Sequence, residues 1–559
     1  MSTAQMDATS SARIAPTHRA SRGGTLVGTL KLLRFMLRRD RIRFPAWVLG
    51  LTAMLAYFAN ALGLILDQES LESFAVLASN PVMALIGGPG YGFEDITTAR
   101  FIVGLYGAYI MIGAALMSIM TVSRHTRVEE QTGRAELVRA NVVGRHAQLA
   151  ATLILVTIMN ALMAGLMAPA FYTSPAEPGS LGSSLLFACS IGSIGLVFAG
   201  VSAVTAQLSP FSRAASGISG AVLAASFIVR GLGDMSAVQD GDLDWLSWLS
   251  PFGWSQQTAP LTLDRWWPLA ISLAATLLLV AAGFALQSRR DLAAGILPDR
   301  LGSAIAPAWL RSSLSLAFRL QRTGLVWWSF AMALAGITFG AFVQPMAENA
   351  EGMPEEILTV FGGAEGMIDG YLGFMGIYYA IMIAVFAILS IQTLRGEEQG
   401  VRTEPVLATA VSRTGWMLSW VTVTGLGVLW LFVLAGLGNG LGAAASTGDW
   451  DLLGPVLLGQ IAHAPAVWAL LSLAVALYGL APRLIGLSWA VFVYGAVLSI
   501  FGDMLELDDA VLDTSVFRHI GQHPAEDISW TAVGVLTTIA ALLFVIGAAR
   551  FRQRDLITA

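Results

Sequence analysis

Long apolar runs recur along the whole chain and are separated by short polar segments rich in arginine. A helix needs about 20 mostly apolar residues to cross the roughly 30 Å hydrocarbon layer of a membrane. Twelve runs are long enough and predict transmembrane helices at about 46–66, 101–123, 148–171, 181–207, 215–235, 266–286, 324–345, 371–394, 416–438, 454–480, 486–503 and 530–549. The predicted fold class is therefore an all-α polytopic membrane protein.

The composition agrees, since 55% of the 559 residues are hydrophobic and only 12% are charged. A soluble domain usually carries about 25% charged residues, so this chain has too little charge for a water-facing surface. This excludes a soluble enzyme and a nucleic-acid-binding protein. Lys31 is the only lysine and does not lie in a Walker A loop, which excludes ATP hydrolysis through a P-loop of this chain.

No catalytic or metal-binding arrangement is evident in the sequence. Cys189 is the single cysteine, so neither a disulfide nor a thiolate metal site can form within the chain. His519 and His523 have i, i+4 spacing. A metal site there is conceivable, but a polar outer loop is the favoured interpretation because no further ligand is identifiable. We therefore predict no metal and no cofactor in this chain.

The basic residues predict the orientation, because loops on the cytoplasmic side of a membrane carry an excess of Arg and Lys. With the N-terminus placed inside, all 32 basic residues fall on the inner side except Arg100, Arg230, Arg265 and Arg518. An even number of spans places both termini on the same side. The sequence thus predicts a multi-pass protein with both termini in the cytoplasm.

Polar stretches precede each half of the chain. Residues 1–24 are predicted to be a disordered cytoplasmic tail, and residues 25–44 form an amphipathic pattern typical of a helix in the membrane interface. Residues 45–292 would form the first half, and residues 324–559 the second. The cytoplasmic linker 293–323 contains a second, weaker amphipathic segment.

The glycines of 436–442 have G-x-x-x-G spacing, which fits either close helix packing or a turn.

The two halves share a charged segment after their second span. RVEEQTGRAELVRANVVGR begins at Arg127, RGEEQGVRTEPVLATAVSR begins at Arg395, and ten of nineteen positions are identical. The halves also end alike, in RDL at 290–292 and at 554–556. Six spans per half give both halves the same orientation. We therefore predict two parallel six-helix pseudo-repeats, related by an axis along the membrane normal.

The repeated charged segment is the best functional candidate, although a solvated loop that only follows the positive-inside rule is the alternative. In the second copy Pro405 favours a new helix over a continuous one. We expect the preceding helix to end near Gln399, the chain to turn at Gly400, and a short helix to start at Glu404. By analogy the first copy turns at Gly133 and restarts at Glu136. We expect Glu130 and Glu398 to lie in water.

An interfacial helix, six spans and an E-x-x-x-G-R-x-E segment between spans two and three resemble the ABC-2 type exporter permeases. The doubled length without an ATPase resembles actinobacterial permeases identified as polyketide-antibiotic exporters of the tetronasin-resistance type. The resemblance implies a bacterial plasma-membrane protein, with an elbow helix at 25–44 and coupling helices that dock on a separate ATPase subunit. The implied coupling residues are Glu129, Glu130, Gly133, Arg134 and Glu136 in the first copy and Glu397, Glu398, Gly400, Arg402 and Glu404 in the second.

The resemblance further implies a permease subunit of an ATP-binding-cassette exporter that moves hydrophobic or amphipathic small molecules out of the cell. The chain itself would not be an enzyme. ATP and Mg would be bound by the partner ATPase, expected as a dimer beneath one permease chain, and the other partners would be membrane lipid and substrate, without nucleic acid.

Two alternatives remain, a proton-coupled multidrug antiporter and a non-transporting membrane scaffold. An antiporter usually needs an ionisable group within the membrane. The candidates Arg230, Asp234, His463 and Asp503 all lie near predicted outer ends.

If the coupling assignment is right, Glu130→Arg combined with Glu398→Arg should uncouple transport without unfolding the protein.

Overall fold

The computed structural model consists of helices joined by turns and irregular segments, without a β-strand among the residues that it describes. These are residues 24–66, 68, 71, 75, 81–140, 143–297, 302–303, 305–348, 361, 363, 366–502 and 508–555. Apart from Gly24, the predicted tail 1–24 lies outside the described residues, and so does Asp503.

Twelve helices in the described part of the chain are long and apolar enough to cross a membrane. Each contains one of the predicted spans within a few residues, so the twelve predicted spans and the all-α fold class are confirmed. Where the observed and predicted spans differ most, the observed helix is longer than the predicted span. The second span runs over Thr98–Gln131 and the seventh over Ser313–Glu348, because charged residues at the ends of a span can continue a helix beyond the hydrocarbon layer.

The helices up to residue 287 begin with the amphipathic helix and end with the sixth span. They are α1 Thr29–Arg39, α2 Arg43–Ile65, α3 Pro81–Ile86, α4 Thr98–Phe101, α5 Gly107–His125, α6 Arg127–Gln131, α7 Arg134–Arg139, α8 Ala147–Tyr172, α9 Leu181–Leu208, α10 Ser212–Val238, α11 Pro251–Gln256 and α12 Pro268–Gln287. Turns of 3-10 helix cover Phe93–Asp95 and Asp244–Leu249, and one π-helical turn covers Ile102–Tyr106.

The remaining helices begin with the seventh span. They are α13 Ser313–Ala341, α14 Val343–Glu348, α15 Met367–Gln399, α16 Thr403–Leu407, α17 Arg413–Thr447, α18 Leu453–Ala462, α19 Ala464–Leu480, α20 Leu487–Phe501, α21 Asp509–Leu512 and α22 Trp530–Gln553. Turns of 3-10 helix cover Trp450–Leu452 and Pro482–Gly486. The tenth span bends at His463, between α18 and α19. Pro465 lacks the backbone N–H that a continuous helix would need there.

The chain divides into two compact units, Met1–Leu66 with Ala84–Arg300 and Asp67–Met83 with Leu301–Ala559. In the first unit α9 is central and packs against α5, α8, α10 and α12. Small residues bring α9 close to α12, since a methyl group added to Gly283 would lie 3.0 Å from the β-carbon of Ala203. The apolar core of this unit surrounds α5, α8 and α9.

In the second unit α13 packs along α17, and α19 packs along α22. The glycines of 436–442 lie inside α17, so the packing interpretation is confirmed. A methyl group added to Gly438 would stand 2.9 Å from the backbone oxygen of Ala333 on α13, and one added to Gly440 would stand 2.7 Å from the side chain of Leu453. Glycine at these positions therefore allows two neighbouring helices to approach α17.

The second amphipathic segment differs from its prediction. The helix α13 begins at Ser313 and continues without a break to Ala341, so residues 313–323 belong to the helix of the seventh span. Ser312 and Ser315 form a reciprocal capping box at its start, which supplies partners for the first backbone N–H groups. The boundary placed at residue 323 therefore falls within a helix.

Candidate functional site

The first charged segment forms two short helices, α6 at the end of the second span and α7 directly after it. The helix α6 ends at Gln131, Gly133 takes a left-handed backbone conformation with φ of 71°, and α7 begins at Arg134. The predicted turn at Gly133 is confirmed. The new helix begins two residues earlier than the predicted Glu136, because a single left-handed residue is enough to redirect the chain.

The second segment confirms one prediction and corrects two. The long helix α15 ends at Gln399 as predicted. The left-handed residue is Val401, with φ of 59°, whereas Gly400 has an ordinary φ of −86°, so the assignment of the turn to Gly400 is wrong. The next helix, α16, begins at Thr403 rather than at Glu404.

The hydrogen bonds at the end of α15 explain this difference. The N–H of Val401 donates to the carbonyl of Glu398 at 2.9 Å, and the N–H of Arg402 donates to the carbonyl of Glu397 at 3.0 Å. This pair of bonds is the Schellman motif, which requires the left-handed conformation two residues after the last helical residue. That position is occupied by Val401, and by Gly133 in the first segment, whose N–H donates to the carbonyl of Glu130 at 3.2 Å.

Glu130 is buried, with 8% of its surface exposed, and it lies between two arginines. Its carboxylate accepts hydrogen bonds from Arg290 at 2.7 and 2.9 Å and from Arg127 at 2.8 Å. Arg290 follows α12, so the ion pair ties the charged segment to the end of the last span of the first unit. The prediction that Glu130 lies in water is wrong.

Glu398 has a corresponding arginine partner in the second unit and is only 2% exposed. Its two oxygens accept hydrogen bonds from Arg554 at 2.7 and 2.6 Å, and Tyr478 of α19 donates a further hydrogen bond to it. The Arg554 guanidinium also lies 4.9 Å from the ring centres of Tyr478 and Phe551. Glu398 was likewise expected in water and is instead buried against the end of the last span.

The neighbouring residues Glu129 and Glu397 are also engaged within the chain. Glu129 binds Arg39, the last residue of the amphipathic helix α1, at 2.6 Å, and lies 3.9 Å from Arg134. Glu397 instead binds Arg402 within its own segment at 2.8 and 2.9 Å, and these hydrogen bonds raise the pKa of Arg402 above its usual value. The ion pair of Glu129 therefore connects the first segment to α1, whereas the ion pair of Glu397 lies within the second segment.

Two further arginines cap the last spans of the units. Arg145 donates to the carbonyls of Gln287 and Arg290 at 3.1 and 2.9 Å. Arg413, the matching residue of the second segment, donates to the carbonyl of Arg554 at 2.8 Å. A cation at a helix carboxyl end is favourable because backbone carbonyls there lack partners.

Sequence reasoning identified these arginines only as identical pairs and assigned them no role. Arg145 matches Arg413, and Arg290 matches Arg554. The RDL sequence shared by the ends of the two halves was the signal that could have led to Arg290 and Arg554 as partners of the glutamates. Nothing in the sequence pointed to Tyr478.

The part of each segment that remains accessible is the short second helix. Arg134 and Glu136 are exposed on α7, and Leu137 beside them is 73% exposed. On α16 Pro405 is exposed and Glu404 is half-buried. In each unit the surface available to a partner therefore includes the short second helix, and the buried glutamates hold that helix in place.

The ionisable residues Arg230 and Asp234, within the fifth span, bind each other and the nearby backbone. Arg230 and Asp234 are buried on α10, 3.3 Å apart, and Arg230 also donates to the carbonyls of Leu85 and Ile86 at 3.1 Å. Within the described parts of the chain, no three His, Cys, Asp or Glu side chains are grouped closely enough to hold a metal ion. His523 lies 3.2 Å from the backbone oxygen of Glu526.

The fold and the segments define a multi-pass, all-helical membrane protein with a charged connection fixed to the last span of each unit. Residues 31–286 and 310–552 match the family described as "Multidrug efflux system permease Rv1217c, C-terminal domain". The multidrug efflux system permease protein Rv1217c of Mycobacterium tuberculosis is 33% identical over 545 residues, which cover 96% of this chain and 97% of the relative. The chain belongs to this family of efflux permeases.

Proposed function

We propose that this chain is the membrane-spanning subunit of an ATP-driven exporter of hydrophobic or amphipathic small molecules, including drugs. A separate ATPase, dimeric beneath one permease chain, would bind ATP and Mg. The observation that carries this proposal is the repeated connection of a short exposed helix, through a buried Glu–Arg pair, to the end of a membrane span. Membership in the family of Rv1217c supports the exporting role.

The ion pairs suit the transmission of movement. A displacement of α7 by a docked ATPase would act on α12 through Glu130 and Arg290 and on α1 through Glu129 and Arg39. In the second unit Glu398 would transmit it to α22 and α19 through Arg554 and Tyr478. A buried, bidentate ion pair is better suited to this role than a solvated one, because its geometry is fixed by several hydrogen bonds.

We further propose that the ends of the spans that carry these segments face the cytoplasm, with both termini on that side, as the distribution of arginine favours. The proposed coupling surface is α7 with Arg134 and Glu136, and α16 with Glu404. The two units would form the predicted parallel pseudo-repeats. The matching pairs Glu130–Arg290 and Glu398–Arg554, one in each unit, support that arrangement.

The test is charge reversal on the short helices. Glu136→Arg combined with Glu404→Arg should abolish drug-stimulated ATP hydrolysis and export, because a docking surface discriminates the sign of charge. The variant should still purify as a folded chain, since Glu136 is exposed and Glu404 is half-buried without an ion-pair partner in the described structure. Asp242→Arg, which reverses an exposed charge between the fifth and sixth spans, is the matched control.

Three results would contradict the proposal. One is wild-type export by the double variant, and another is a stable complex with one ATPase chain per permease. The third is efflux that persists without ATP and collapses with the proton gradient, which would indicate an antiporter.

A further inference from the structure

We propose that a cavity in the first unit binds an amphipathic anion, a molecule with an apolar aromatic body and a carboxylate, sulfonate or phosphate group. This inference rests on the proposed export function and narrows its substrate class. The cavity lies where the connection between α1 and α2 meets α5, α8 and the start of α10. All of its walls belong to the first unit.

The size and the walls of the cavity suit a small molecule. Its volume is ≈ 460 Å³, within the range of about 300–1,000 Å³ usual for small-molecule sites. Part of its lining is apolar and consists of Phe44, Trp47, Met120 and Met159. Two aromatic rings and two flexible thioethers can accommodate apolar bodies of different shapes.

The lining of the cavity also carries an excess of positive charge. Arg43, Arg124 and Arg213 line it, together with a single carboxylate, that of Asp40. Asp40 is already engaged, because it lies 3.2 Å from Arg124 and 2.6 Å from Nε2 of His125. In the described structure neither Arg43 nor Arg213 has an ion-pair partner. Two guanidinium groups are therefore available to a ligand.

The hydroxyl groups at the cavity are already engaged with the protein. Ser212 donates to the side chain of Gln131 at 2.5 Å, and Ser216 donates to Ser123 at 2.9 Å. Polar recognition therefore falls to the arginines. Guanidinium groups bind carboxylate and phosphate oxygens in bidentate geometry. A cationic ligand would face three arginines and a carboxylate that is already neutralised, so the cavity selects against it.

Direct binding to the purified full-length chain tests this proposal without any ATPase or transport. The probes are 8-anilinonaphthalene-1-sulfonate and N-phenyl-1-naphthylamine, which share one aromatic body and differ in the sulfonate. Binding is followed by energy transfer from tryptophan in a non-ionic maltoside detergent. We expect one saturable site for the sulfonate probe, and Trp47→Phe should weaken the transfer signal.

The arginine variants identify the part of the cavity that recognises the anion. Arg43→Gln and Arg213→Gln should each weaken binding of the sulfonate probe about tenfold, which is the usual effect of losing one hydrogen bond to a charged group. Their affinity for the neutral probe should not change. Arg41→Gln, an exposed arginine outside the cavity, is the matched control and should bind as the wild type does. The exposed side chains of Arg43 and Arg213 make unfolding of these variants unexpected.

Two outcomes would overturn the proposal. One is undiminished sulfonate binding by the double variant Arg43→Gln, Arg213→Gln. The other is an equal loss of affinity for the neutral probe, which would show that the arginines act on the apolar body or on the fold.

Competition identifies the source of the anion. Displacement of the probe by phosphatidylglycerol, and not by phosphatidylcholine, would support the site and assign it to a lipid headgroup. Displacement by exported acidic compounds alone would support it as a substrate site. A chain that exports drugs but does not bind the sulfonate probe would refute this inference and leave the proposed function intact. A chain that binds the probe but does not export drugs would refute the proposed function and leave this inference intact.

Discussion

Glu398 binds both terminal nitrogens of Arg554 across 156 residues of sequence, with N–O distances of 2.6 and 2.7 Å. The pair closes the second charged segment onto the end of the twelfth span. Since both side chains are largely buried, the loss of either leaves the other without a counter-charge. This geometry overturns the expectation that Glu398→Arg and Glu130→Arg leave the folded state unaffected.

The first prediction concerns this pair. Glu398→Gln should reduce the free energy of unfolding by about 3–5 kcal/mol, the usual cost of breaking a buried ion pair from one side. Thermal unfolding in detergent measures the effect. Glu404→Gln, which removes a half-buried carboxylate from the next helix, is the control and should change stability by less than about 0.5 kcal/mol. Similar losses in both variants would show that burial of Glu398 has no energetic importance.

A second prediction follows from the left-handed conformation shared by Gly133 and Val401. The left-handed region costs a residue with a β-carbon about 1–2 kcal/mol. Gly133→Val should therefore lower stability by about that amount, because a β-carbon at Gly133 meets no atom within 4 Å and only the backbone is strained. Val401→Gly should have the opposite sign and a smaller size, since glycine also adds freedom to the unfolded chain. Stability changes of the same sign at both positions would contradict this account.

Helix packing gives a third prediction. Gly438→Ala should destabilise the second unit by about 1–3 kcal/mol, because its methyl group would stand 2.9 Å from the backbone oxygen of Ala333. Gly454→Ala is the matched control, since it lies in the helix α18 and a methyl group there meets nothing within 4 Å. That control should be neutral or slightly stabilising. The midpoint of unfolding in a mixed detergent series compares the two variants, and equal midpoints would exclude a packing role for Gly438.

A fourth prediction tests the connection between the first charged segment and the amphipathic helix α1. Arg39→Gln removes the bond to Glu129 and should speed amide hydrogen exchange over Thr29–Arg39, because a contact that fixes the end of the helix is lost. Arg38→Gln, an exposed neighbour, should leave exchange unchanged. Leu33 and Met36 still pack against the first unit, so the helix should remain folded. Identical exchange in the two variants would show that the ion pair does not hold α1.

The charged segments illustrate how far sequence reasoning reached. It recognised RVEEQ and RGEEQ as a repeated feature and predicted the end of α15 at Gln399, because repetition and helix-ending signals are local. It misplaced the second turn by one residue. The preference of glycine for left-handed conformations favoured Gly400, whereas the hydrogen bonds at the end of α15 put Val401 in that position.

The sequence by itself determined the twelve spans, the all-helical class and the presence of two charged segments. Hydrophobicity over about 20 consecutive residues is enough to define a membrane helix, because its backbone hydrogen bonds are all local. Only the tertiary structure decided that Glu130 and Glu398 point inward to Arg290 and Arg554, and that Arg43 and Arg213 line a partly apolar cavity without an ion-pair partner in the described structure. A sequence shows which residues are charged, but the ion-pair partners of Glu130 and Glu398 lie more than 150 residues away along the chain. Tertiary packing brings these residues together, and their spacing in the sequence does not predict it.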